Sequence, residues 1–115
     1  MGRFIGIAKN RNVQQVESEI DISSNTTLAT NTVYFVNTTS GAVTLTLPTL
    51  PAPGDFVDII DAYAKFDTNN CIVLPSGDGS TVGGFADNLT LNLGQVNIRL
   101  QYSPVKNDWV VTQLL

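Results

Sequence analysis

The chain has 115 residues, of which 43% are hydrophobic and only 14% are charged, and its formal net charge is −4. This length corresponds to one domain, which buries roughly two-thirds of the surface that the unfolded chain exposes. The acidic balance argues against a nucleic-acid-binding protein, because such proteins need a basic face to release counterions from phosphate. The sequence contains no histidine, which excludes most catalytic triads and most metal centres.

Residues 1–27 differ in composition from the rest, and we predict that they form an extended N-terminal arm in front of a domain at 28–115. The arm holds three of the chain's six basic residues, namely Arg3, Lys9 and Arg11. Residues 16–22 alternate weakly, which fits a strand better than a helix, and an ordinary first strand of the domain is the alternative for them. No apolar run approaches the length of a membrane span, so we expect no membrane association.

Short predicted strands follow one another through the domain, with turns between them. The clearest pattern is at 42–47, where valine and leucine alternate with threonine. Further strands are predicted at 32–37, 55–64, 71–74, 89–93, 95–102 and 109–112. The three prolines of 47–54 lack the amide hydrogen that a central strand needs, so we expect this segment to cross between sheets. The spacing predicts an all-β sandwich or jelly roll of about seven to eight antiparallel strands.

The strand that follows the prolines is apolar on both of its faces. Phe56 and Ile60 alternate with Val57 and Ile59, and a strand of this kind is buried on both sides. In a domain this small, a neighbouring subunit is the simplest cover for the second side. We therefore predict a homotrimer whose interface includes Phe56, Asp58 and Ile60.

The residues that could carry chemistry do not converge. Asp55 and Asp61 fall on one face of their strand and Asp58 on the other, so they do not form the carboxylate pair of a glycosidase. A calcium site that uses Asp58 or Asp61 with loop carbonyls is a less favoured alternative. Cys71 lies in an apolar strand with no histidine to activate it, and we predict a small buried hydrophobe. We expect no enzyme, no catalytic residue, no cofactor and no bound metal.

Four aromatic residues suggest two uses. Tyr34, Tyr63, Tyr102 and Trp109 could line a carbohydrate-binding face. Aromatic side chains more often anchor a core or an interface, and that interpretation is preferred.

Several segments together resemble modules of tailed-bacteriophage virion proteins, which occur in tail fibres, neck appendages and head decoration proteins. The segments are 34–38, 43–48, 53–62, 69–73 and the closing pair Tyr102 and 109–111. The first seven residues are similar to the starts of small virion proteins of cyanobacterial phages. The resemblance covers 30–113 and implies a trimeric β-sandwich that is assembled in the host cytoplasm and located in the virion.

Within that resemblance, two functions are open. The first is a capsid decoration (cement) protein that binds the major capsid protein through its arm. The predicted capsid-binding residues are Arg3, Phe4, Ile5, Ile7, Lys9 and Arg11. The second is a tail-fibre or appendage module that binds a host surface glycan. The chain shows no shaft repeats or heptads, which favours decoration, and a hydrolase of surface glycans is disfavoured because no acids converge.

Overall fold

A computed structural model describes residues 18–115 of the chain, and these residues form ten β-strands and no helix. The strands are β1 Ser18–Ile22, β2 Thr26–Thr27, β3 Thr32–Val36, β4 Val43–Thr46, β5 Phe56–Asp61, β6 Cys71–Leu74, β7 Thr81–Val82, β8 Leu89–Leu91, β9 Ile98–Ser103 and β10 Asp108–Leu114. They build a six-stranded sheet, in the order β1-β3-β5-β9-β10-β7, and a four-stranded sheet, in the order β2-β4-β6-β8.

From β1 to β8 the chain changes sheet at every step. Each of the pairs β1–β2, β3–β4 and β5–β6 is therefore one turn of a winding, and each turn adds one strand to each sheet. Strands of successive turns run in the same direction, so β1, β3 and β5 are parallel neighbours, as are β2, β4 and β6. Strands β8, β9 and β10 are then added in antiparallel pairings, and β7 pairs in parallel with β10 at the edge of the six-stranded sheet.

The sandwich-like, all-β architecture is confirmed, and the antiparallel prediction is wrong for most of it. Five of the eight strand pairings are parallel, and the jelly roll is not confirmed. The described residues hold ten strands rather than about seven to eight, because β2 and β7 are short pairings of two residues. Alternation along a strand reports which side is buried and carries no information on the direction of the neighbour.

Residues 18–22 and 26–27, at the end of the predicted arm, belong to the two sheets, and β1 fits the alternative of an ordinary first strand. Strand β1 pairs along its full length with β3, and β2 pairs with β4. The remainder of the predicted arm, residues 1–17, lies outside the described residues.

The core lies between the two sheets and follows the predicted alternation. In β4, Val43 and Leu45 are buried and the intervening Thr44 is half-buried. The six-stranded sheet contributes Tyr34 and Trp109, among others, to the same cluster. The Tyr34 hydroxyl accepts a hydrogen bond from the Ala29 amide at 2.7 Å, so its polar end is satisfied.

Candidate functional site

The six-stranded sheet has an outer face, defined as the face turned away from the four-stranded sheet. In the strand register, Val33 lies beside Asp58, and Asp58 lies beside Arg99. Their side chains share this face because residues that pair in register on neighbouring strands point to the same side of the sheet. Val33 and Phe56 do not belong to the core cluster, and yet the exposed fraction is only 8% for Val33 and 1% for Phe56. The outer face therefore carries a second buried apolar layer.

An ion pair lies in the middle of this layer. The Arg99 guanidinium donates to both Asp58 carboxylate oxygens, from Nε at 2.7 Å and from Nη2 at 2.9 Å. These hydrogen bonds, and then the negative charge of Asp58, raise the pKa of Arg99. The same guanidinium carbon lies 4.0 Å from the centre of the Phe56 ring, which gives a cation–π contact. Arg99 thus neutralises Asp58 and covers Phe56.

The predicted interface residues Phe56, Asp58 and Ile60 do share the outer face. Phe56 and Asp58 are already buried within a single chain, and Ile60 is half-buried. Phe56 therefore needs no neighbouring subunit for its burial, because Arg99 covers it, and the trimer interface stays a prediction. The sequence interpretation missed Arg99, and the only available signal was a lone arginine in an alternating strand.

The predicted capsid-binding residues are all in the arm, outside the described residues. They are Arg3, Phe4, Ile5, Ile7, Lys9 and Arg11. Their prediction rests on the sequence and on the resemblance.

Asp61, at the end of β5, fixes two loops. Its carboxylate accepts hydrogen bonds from the backbone amides of Lys65 at 3.0 Å, Phe66 at 3.1 Å and Gln95 at 2.9 Å. Its own amide donates to Asn97 Oδ1 at 2.9 Å. One buried carboxylate therefore joins the turn after β5 to the turn before β9.

The calcium alternative finds no support in these contacts. Asp58 is held by Arg99, and both carboxylate oxygens of Asp61 accept backbone hydrogen bonds. Within residues 18–115, no group of three or more acidic or cysteine side chains is placed to hold a metal ion.

Cys71 is a buried residue of the core, as predicted. Burial, followed by the nearby negative charge of Asp61, raises the pKa of its thiol to about 12. The thiol therefore stays protonated at neutral pH and is a poor nucleophile.

A groove of about 340 Å³ lies where the parallel strands β1, β3 and β5 end. We call it the strand-end groove, and its lining includes Asp21, Ser23, Phe35, Asn37 and Tyr63. Asp21 lies beside Phe35 in the register. Tyr63 follows β5 and is 60% exposed, whereas Phe35 is half-buried. The parallel winding brings these residues together from three turns of the chain.

No protein-family model matches the chain, and no curated protein sequence matches it. No helix in the described part of the chain is long and apolar enough to cross a membrane.

The four aromatic residues separate into two groups. Tyr34 and Trp109 are buried in the core, and Tyr102 packs on Trp109 with ring centres 5.7 Å apart. This arrangement confirms the core interpretation for them. Tyr102 is half-buried and also lines a second groove, whereas Tyr63 is exposed in the strand-end groove. The sequence interpretation missed the neighbours of Tyr63, because only the parallel winding brings them together. They are Asp21, Phe35 and Asn37.

Proposed function

We propose that the protein is a capsid decoration (cement) protein of a tailed bacteriophage, which binds the major capsid protein as a homotrimer and stabilises the shell. The main support is that each buried charged side chain among residues 18–115 is engaged in holding the fold. Asp58 pairs with Arg99, Asp61 binds three backbone amides, and Asp108 accepts from Gly84. Such a molecule is suited to a structural role. It acts in the virion after assembly in the host cytoplasm.

The trimer is proposed from the outer face. Ile60 and Val110 are half-buried there, beside an ion pair that already neutralises its own charges. A partner can cover these side chains without desolvating an unpaired charge, which would be costly.

Static light scattering should give three times the chain mass of 12.4 kDa for the purified protein at micromolar concentration. Ile60→Lys should give the monomer mass, because it places a charge in the proposed interface. Val105→Lys, at an exposed loop position, is the matched control and should remain trimeric. A monomer mass for the unaltered protein would reject this interface.

The arm is proposed to carry the contact with the shell. Deletion of residues 1–12 should abolish co-sedimentation with undecorated shells while the circular dichroism melting curve is retained. An extended segment binds through backbone pairing and through alternate side chains in pockets, and its loss removes both. Lys106→Ala, in an exposed loop, serves as the control for loss of one positive charge and should bind normally. Normal binding by the truncated protein would refute the role of the arm.

The second candidate function is a tail-fibre or appendage module that binds a host surface glycan. The strand-end groove, with its exposed tyrosine, favours this alternative. Labelling of the protein on purified virions distinguishes the two, because a cement protein lies on the head and an appendage on the tail.

A further inference from the structure

We propose that the strand-end groove is a binding site for one neutral sugar ring. This goes beyond the proposed cement function and applies to either position in the virion. The groove collects two aromatic rings, a carboxylate, a carboxamide and a hydroxyl group from the ends of three parallel strands. Its volume of about 340 Å³ lies at the lower end of the range for small-molecule sites.

The aromatic part of the groove suits the apolar face of a pyranose. Tyr63 is 60% exposed, and Phe35 is half-buried next to it in the groove lining. A tyrosine combines a large apolar surface with a hydroxyl group that binds water or a ligand. A sugar ring that covers Tyr63 would bury apolar area on its C–H side and leave its hydroxyl groups free to reach polar partners.

The polar part of the groove offers both kinds of hydrogen-bonding group. The carboxylate of Asp21 is exposed and no other described residue donates a hydrogen bond to it, so within residues 18–115 it is an available acceptor. Asn37 Oδ1 already accepts from the Thr39 amide at 2.9 Å, which leaves the NH₂ group of Asn37 as a donor. Sugar hydroxyl groups both donate and accept, so neighbouring hydroxyls match this pair.

The charges around the groove select against an anionic ligand, and its hydrogen-bond donor selects against an ammonium group. Asp21 shares its strand face with Glu19, two residues away. Two carboxylates repel an anionic sugar or a phosphate group. An ammonium group has only donors, so it cannot accept from the Asn37 NH₂ group. A neutral polyol is the class that satisfies all these groups together.

The test is a titration of the ¹⁵N-labelled full chain, followed by NMR, with the methyl glycosides of glucose, galactose, mannose, rhamnose and N-acetylglucosamine. For at least one glycoside we expect saturable shifts at millimolar concentration, centred on the amides of Asp21, Asn37 and Tyr63. Tyr63→Ala should weaken binding about tenfold. Asp21→Asn should weaken it several-fold. Phe85→Ala removes an exposed aromatic side chain outside the groove, and it should bind as the unaltered protein does.

Several results would overturn the proposal. The first is the absence of saturable shifts with all five glycosides. The second is a Tyr63→Ala protein that keeps the native fold in its NMR spectrum and binds the glycoside as tightly as the unaltered protein does. Stronger saturation by tetramethylammonium or by a lysine-rich peptide would show a cation site instead. An affinity for a sialic acid glycoside equal to that for the best neutral glycoside would contradict selection for a neutral ring. None of these results depends on particle binding, so they leave the cement proposal to its own tests.

Discussion

Replacing Asp61 by alanine should lower the free energy of unfolding by about 2–4 kcal/mol, because the substitution takes the acceptor from three backbone amides. The loss at Phe66 is the most costly, since that hydrogen bond is buried and water cannot replace the carboxylate. The amides of Lys65 and Gln95 are only partly buried, and water can compensate for some of their loss.

Urea unfolding followed by circular dichroism measures this effect. The free energy of unfolding of the Asp61→Asn protein should lie between those of the alanine variant and the unaltered protein, because the amide keeps one acceptor oxygen. Asp67→Ala is the matched control, since Asp67 is exposed and, among the described residues, its carboxylate accepts a hydrogen bond only from the neighbouring Thr68 hydroxyl. It should change stability by less than about 0.5 kcal/mol. A similar loss for both alanine variants would refute the assigned role of Asp61.

Loss of the Asp58–Arg99 ion pair is expected to have the second large effect on the free energy of unfolding. Asp58→Ala should lower the free energy of unfolding by about 2–4 kcal/mol, because Arg99 loses a bidentate partner in a largely buried position. The combined Asp58→Leu and Arg99→Met substitutions should cost much less, since replacing both charges by apolar groups avoids an unpaired charge.

A double-mutant cycle over these two positions separates the pair from its surroundings. We expect a coupling free energy of about 1–3 kcal/mol, measured from the urea unfolding of the four proteins. A coupling near zero would show that Asp58 and Arg99 contribute independently, and the outer face would then need another explanation for the burial of Asp58.

The sequence predicted individual strands better than it predicted their pairing. The alternation at 42–47 gave both the existence of β4 and its buried side, and 71–74 matches the bounds of Cys71–Leu74. The prolines of 47–54 correctly indicated a change of sheet between β4 and β5. The predicted strand 55–64 ends early, at Asp61, because the following turn is tied to the Asp61 carboxylate.

The groups of interacting residues were harder to predict, because they depend on strand neighbours. Asp58 and Arg99 are 41 positions apart and meet through an antiparallel register that no local pattern specifies. In the strand-end groove, Asp21 and Phe35 become neighbours only because β1 and β3 are parallel. The sequence-based prediction places Asp21 in the arm, so it misses the contribution of Asp21 to the groove.

The proposed cement function depends on several weak contacts acting together. In the proposed trimer, three arms act at a high effective concentration once the first is bound, so avidity can exceed the affinity of one arm by roughly 10²–10⁴. A protein that binds the assembled shell but not its dissociated subunits stabilises the shell by mass action. The stabilisation should therefore be visible as heat resistance of the particle.

The most direct test of the cement proposal is the temperature at which particles release their DNA. Particles stripped of the protein should release DNA at a lower temperature, as followed by the fluorescence of a DNA-binding dye. Adding back the full chain should restore the midpoint, and adding the form without residues 1–12 should not. Stripped particles that keep their heat resistance but no longer adsorb to cells would contradict the proposal and favour the tail-fibre function.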